Sequence, residues 1–375
     1  MRACLNISCM KNYRLLLIAA TLVLLCGCKE NENKINGQEQ SSQAPDIVIE
    51  NSATDIQNEM TMGDEASDES VPGIEISIAQ DDDALAETEN VDVDARNSRF
   101  PDTYVYYDVF RNAYEMDVNR GVRENLYDSG KFTYLGAEPD ASLFIGNNPV
   151  NPLGGGEQLM GYDGIIKYED DRYTSRFGID VSKFQGNINW EKVKEAGVTF
   201  VIVRVGFRGY GSSGSLSEDA MYRKNLEGAR AAGLDTGVYF YAQAINEAEA
   251  VEEAEYVLKL IDGYDLNMPV VYDPEHVLND DARTDNVTGE QFTKNTKAFC
   301  DRIREAGYTP MIYANMLWQA KEFDMSELSD VELWHADYEL KPQTPYYFTM
   351  WQYSQGGHIP GISGAVDLNI QIYEK

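Results

Sequence analysis

The stretch Pro269–His276 places two carboxylates one residue apart, Asp273 and Glu275, directly behind an apolar run, Pro269-Val270-Val271-Tyr272. If that run is a strand, side chains at i and i+2 share a face. Two acids then look into the same space, with Cα atoms about 7 Å apart. Such a pair suits chemistry that needs one carboxylic acid and one carboxylate together, glycoside hydrolysis above all. A chain with 63 acidic residues produces Asp-x-Glu triplets by chance, and Asp330-Val331-Glu332 is another. That second triplet precedes its apolar run (Leu333, Trp334), whereas Asp273 and Glu275 end theirs. Sites of βα proteins lie at the carboxyl ends of strands.

Other chemistries find little support. The net charge is −32 and no basic patch dominates, which argues against a nucleic-acid partner. Of 5 Cys, four (Cys4, Cys9, Cys26, Cys28) lie in the first 28 residues, leaving Cys300 alone in the body. One thiol builds neither a disulfide framework nor a Cys-rich zinc site. His276, His335 and His358 have no metal-ligand spacing and read as polar residues at strand ends and in loops. No metal or cofactor is expected, and the protein is expected to be a monomer.

The elements that must hold the two acids repeat regularly from Phe177 onward. Strands are predicted at 177–181, 199–205, 236–242, 269–275 and 309–314. Helices are predicted at 190–196, 218–232, 247–261 and 288–306, closed by Gly197, Gly233, Gly263 and Gly307. Strand and helix alternating at this spacing mean parallel βα units. After Asn315 the helices weaken, and 331–336, 347–353 and 365–370 read as strands with little helix between them. The expected fold is α/β, a closed or nearly closed β/α barrel, regular at first and irregular in its last part. A doubly wound open sheet is the alternative, disfavoured because no Gly-rich phosphate loop follows the first strand.

A barrel predicts that the residues ending its strands form one set. Those residues are Asp180, Arg204, Tyr239, Tyr241, Asp273, Glu275, Tyr313, Trp351 and Tyr353, with Trp334 lying in the sixth strand and Asp367 near the last. Packing alone would call for Val, Ile and Leu, because unpaired buried acids cost several kcal/mol. The competing structural reading has Arg204 neutralising one or two of the acids, Asp180 in particular. Aromatic faces beside carboxylates suit carbohydrate, whereas phosphate chemistry would want more cations or a metal.

From about Arg176 to Tyr373 the chain resembles the glycoside hydrolase family 25 lysozymes, the Chalaropsis-type muramidases. The resemblance rests on Gly178-Ile179-Asp180-Val181-Ser182 with Gln185-Gly186, Tyr239-Phe240-Tyr241, Asp273-Pro274-Glu275, Trp351-Gln352-Tyr353 and Val366-Asp367. It implies an irregular TIM-like barrel that cleaves the β-1,4 bond between N-acetylmuramic acid and N-acetylglucosamine in peptidoglycan. It further implies Glu275 as general acid, Asp273 as a supporting or charge-stabilising carboxylate, and Asp180 and Asp367 as further acids of the site. Arg204, Tyr239, Tyr241, Tyr313, Trp334, Trp351 and Tyr353 are the expected substrate contacts. A chitinase-like barrel is a rival, but its Asp-x-Asp-x-Glu pattern needs an acid where this chain has Val271. A surface module that binds glycan without cleaving it is the rival from another class.

The resemblance does not cover residues 1–175. Arg2, Lys11 and Arg14 precede the apolar run Leu15–Leu25, which is the layout of a secretory signal. Leu25-Cys26-Gly27-Cys28 resembles a bacterial lipobox, implying cleavage of a 1–27 signal peptide and a lipid on Cys28. The protein would then be lipid-anchored at the bacterial cell surface. Residues 28–99 are rich in Asn, Gln, Ser, Asp and Glu and read as a disordered acidic linker. Residues 100–175, with strand-like runs at 103–110 and 131–136 and turns at 128–130 and 149–156, read as a small β-rich appendage. It is short for independent stability and is expected to pack on the 176–375 barrel. If it lay near the groove it would restrain activity, and removing it would raise the rate.

Overall fold

A computed structural model describes residues 103–110, 112–118, 121–136, 158–277 and 281–375, all within one compact unit. The expected signal peptide, the lipidated Cys28, the acidic linker and the turn at 149–156 lie outside the described residues.

The described chain opens with an antiparallel hairpin, β1 (Thr103–Tyr107) and β2 (Ala113–Asp117). A second antiparallel pair follows, β3 (Phe132–Leu135) with β4 (Ile165–Tyr168). Then come β5 (Tyr173–Val181), α1 (Trp190–Glu195), β6 (Phe200–Arg208), β7 (Leu216–Glu218), α2 (Tyr222–Ala231), β8 (Asp235–Ala242) and α3 (Glu247–Leu260). The chain continues through β9 (Val270–Pro274), α4 (Gly289–Glu305), β10 (Pro310–Asn315), a π-helical turn (Trp318–Glu322), β11 (Glu332–Ala336), β12 (Met350–Gly357) and β13 (Val366–Glu374).

Eight strands close into a ring in the order β5-β6-β8-β9-β10-β11-β12-β13, with β13 returning to β5. Closure rules out the open doubly wound sheet. Every neighbouring pair is parallel except those made by β13, which runs antiparallel to both β12 and β5. The four predicted helices are present, and Gly197, Gly233, Gly263 and Gly307 all stand at positive φ just beyond them. The second helix starts at Tyr222 rather than Glu218. Residues 216–218 fold back on β6 as β7, and Asp219 then accepts from the Met221 N–H before the helix begins. Gly178 is required inside the ring, because a Cβ there would meet the Phe200 ring at 2.3 Å.

The outer wall is built in two ways. Helices α1–α4 cover the first strands, and asparagine or threonine caps Asn189, Asn246 and Thr288 start three of them. Between β11, β12 and β13 there is no helix, and the segment before β5 takes that place. Tyr127 stacks edge-on to Phe348 at 5.0 Å and its hydroxyl donates to the Phe348 carbonyl. Phe132 meets Trp351 at 5.5 Å, the Tyr353 hydroxyl donates to the Gly164 carbonyl, and Gly161 bridges to Ser354. One continuous apolar core runs through this segment, the helices and the outward faces of the strands. No helix of the described residues is long and apolar enough to cross a membrane.

Candidate active site

Alternation along the strands decides what enters the ring. Phe200, Ile202, Met268, Val271, Met311, Trp334 and Met350 form a separate apolar cluster, distinct from the outer core. Two residues further along the same faces stand Arg204, Asp273, Tyr313 and Gln352, with Glu275 one more step beyond. On β5 and β13 the register pairs Asp180 with Asp367, so the first residues of the antiparallel strand meet the last of β5. The four predicted acids therefore share one end of one ring.

Asp180 is buried, and its Oδ2 accepts from Gln352 Nε2 at 2.9 Å and from Asn369 Nδ2 at 2.8 Å. Burial pushes its pKa up to about 6 against those two bonds. Asp367 stands directly across from Asp180 in the β13–β5 register. Burial and then the Asp180 charge push Asp367 well above the carboxylate range. Asp273 is pushed well up by burial, then by Glu275 and Asp180, with Arg204 opposing. Its buried Oδ1 has no hydrogen-bond partner among the described residues. Glu275 is raised to about 7 by burial and by Asp180, with His276 and Arg204 pulling the other way.

Arg204 reaches this cluster already engaged. Its Nη2 lies 2.7 Å from Asp219 Oδ2 and its Nε donates to the same oxygen at 2.8 Å. The ion-pair partner is thus Asp219, which sequence reasoning missed, and not Asp180. Tyr239, Tyr241 and Tyr313 face the acids, and burial first, with the nearby carboxylate charges adding to it, pushes their hydroxyls well up. Tyr313 and Tyr338 both donate to Gln352 Oε1, at 2.8 and 2.9 Å, so Gln352 ties two tyrosines to Asp180. Gln352, Asn369 and Tyr338 were not among the expected site residues. Alternation was the available signal, since Gln352 lies between Trp351 and Tyr353, and Asn369 follows Asp367 by two.

Three expected substrate contacts need correcting. Trp334 lies in the apolar cluster inside the ring, 1% exposed, with its Nε1 donating to Asn369 Oδ1 at 2.9 Å. It supports the floor under the acids. Trp351 and Tyr353, each 0% exposed, flank the inward Gln352 and so point out of the ring, into the core shared with β3 and β4. Neither can touch a ligand held at the acids.

The chain was compared with known protein families, sequences and structures. Residues 179–362 match the family described as Glycosyl hydrolases family 25. The chain is 29% identical over 193 residues to the autolytic lysozyme of Clostridium acetobutylicum, covering 51% of this chain and 54% of that protein. It therefore spans about half the length of that relative. It is also 29% identical over 244 residues to Lysozyme M1 of Streptomyces globisporus, covering 59% of this chain and 80% of that protein. The crystal structure of a bacterial lysozyme from Streptomyces coelicolor superposes with a TM-score of 0.44 at 26% identity, covering 52% of this chain and 90% of that one.

Proposed function

We propose, from the premise that residues 179–362 form a glycosyl hydrolases family 25 domain, that this protein is a peptidoglycan-cleaving muramidase. The bond cut is the β-1,4 link from N-acetylmuramic acid to N-acetylglucosamine, as the resemblance and the lysozyme relatives imply. The observation that carries the reading is the cluster itself. Asp180, Asp273, Glu275 and Asp367 are gathered at the carboxyl end of the barrel, facing an arginine already ion-paired with Asp219. Retaining protons at neutral pH is what such a cluster must do, and a proton donor is what a glycosidic oxygen needs.

Glu275 is the general acid. Its pKa near 7 supports donation at neutral pH, and its position beyond the last paired residue of β9 leaves it at the mouth of the site. Asp273, deeper and without a partner on Oδ1, supports the developing positive charge at the sugar or holds a group of the substrate there. Asp180 and Asp367, paired across the β13–β5 register and both pushed up by burial, are carboxyls poised beneath the sugar. Tyr239, Tyr241 and Tyr313 supply ring faces and hydroxyls for sugar. The enzyme acts outside the cytoplasm, held to the membrane through a lipid on Cys28; the sequence Leu25-Cys26-Gly27-Cys28 supports this. Cys28→Ala should release the protein to the soluble fraction or stall its processing. An unchanged gel mobility in the membrane fraction would refute the anchor.

The test of activity is digestion of purified peptidoglycan, followed by borohydride reduction and mass spectrometry. Fragments ending in reduced muramic acid from the wild type, and none from folded Glu275→Gln, are expected. Reduced glucosamine ends would keep a hydrolase but reverse the bond. Binding without release would leave a glycan-binding module.

A further inference from the structure

The β8–β9 ladder ends at the pair Ala242–Pro274, and the β9–β10 ladder ends earlier still, at Tyr272–Ile312. Pro274 has no N–H to extend either ladder. Glu275 therefore projects from a strand end that main-chain pairing no longer holds. A side chain takes over. Gln243, the residue after β8 and 1% exposed, donates from Nε2 to the Glu275 carbonyl at 2.7 Å. Its Oε1 accepts from the buried Thr284 hydroxyl at 2.9 Å. A carbonyl can only accept, so the amide orientation is set.

Gln243 is itself anchored from behind. Its main-chain N–H donates to Glu253 Oε1 at 3.1 Å. The same oxygen accepts from Arg208 Nε at 2.8 Å, in an ion pair whose side chains are 4% and 0% exposed. Arg208 ends β6 and Glu253 belongs to α3. The chain of contacts thus runs from strand end and helix, through one amide, to the peptide that carries the proposed proton donor.

We propose that Gln243 is a positioning residue for the reaction, fixing the Glu275 backbone so that its carboxyl meets the glycosidic oxygen at the right angle. This rests on the reading of Glu275 as general acid. Gln243 touches no substrate and acts only through the Glu275 peptide. Displacing a reacting group by about 1 Å costs on the order of 100-fold in rate, and substrate binding by the tyrosines is unaffected by it.

The test compares Gln243→Met, of similar length but without a donor, and Gln243→Leu, shorter and also without a donor, against wild type. Initial rates on soluble, un-cross-linked glycan strands prepared from peptidoglycan are measured per folded molecule. The expected result is a kcat lower by about 10- to 100-fold with KM within about twofold. Thr284→Val, which keeps shape and removes the hydroxyl that donates to Gln243 Oε1, is expected to lose about three- to tenfold in kcat, and it serves should both Gln243 variants fail to fold. A melting temperature that falls while kcat per folded molecule stays at wild type would overturn the proposal, as would a change confined to KM. A wild type that releases no sugar sinks the muramidase reading and this inference together. An active wild type with equally active variants sinks the inference alone.

Discussion

Glu275 and Asp180 have pKa values pushed up to about 7 and about 6, and both owe this first to burial. A reaction needing Glu275 protonated and Asp180 ionised works best in the interval between those values. Rates of fragment release should fall about tenfold per pH unit above about 7, and fall again below about 6. A flat profile from pH 5 to 9 would remove Glu275 from the role of acid. The same shift bears on stability. Glu275 holds its proton more tightly folded than unfolded, so its contribution is fully present below the unfolded value of about 4.3 and is lost as pH rises through about 7. Glu275→Gln should therefore be more stable than wild type at pH 7.5 by on the order of 1 kcal/mol. Calorimetry would see this as about 2–4 °C in melting temperature, with the difference vanishing near pH 4.

Strand β12 carries two jobs on its two faces. Gln352 turns inward to Asp180, Tyr313 and Tyr338, while Trp351 and Tyr353 turn outward to Phe132 and Gly164. The expected effects of substitution separate accordingly. Gln352→Leu leaves two tyrosine hydroxyls and a buried carboxylate short of partners, for about 1–3 kcal/mol of stability together with a loss of rate. Trp351→Ala should cost about 3–5 kcal/mol in chemical denaturation while leaving KM of the folded enzyme unchanged. A KM that rose without a stability loss would return Trp351 to the substrate.

Across the whole molecule, the segment before β5 substitutes for the helices missing beside β11, β12 and β13. It shields Phe348, Trp351 and Tyr353, none of which is measurably exposed. Aromatic side chains bury about 150–250 Å² each, so uncovering three leaves an apolar patch beyond what monomers tolerate. Deleting residues 100–170 is accordingly expected to give insoluble or unfolded chains. The activation foreseen for a segment that merely occludes the groove is the opposite outcome, and solubility with specific activity of the truncated protein distinguishes the two.

Much of this was legible in local sequence. Hydrophobic period and glycine stops placed eight strands and four helices, because both signals arise within a few residues of one another. Asp180, Asp273 and Glu275 could be assembled from strand ends, since a closed barrel leaves those ends a common place to meet, whereas Asp367 opens β13 and reaches them only because that strand runs antiparallel to its neighbours. Facing was the part that required the fold. Trp351 and Tyr353 looked like site residues from their place at a strand end, but one-residue alternation sends them outward and brings Gln352 in. Arg204 could be placed among the acids but not paired, because its partner Asp219 comes from the corner after β7. Nothing local marks Gln243 as the support of Glu275, since that hydrogen bond spans two strands and exists only once the ladder beside Pro274 has ended. The sequence by itself determined which elements form and which residue types gather at one end of them. Tertiary structure alone decided which side chains face inward, which charges meet, and what covers the wall left without helices, because these depend on register and closure between segments distant in the chain.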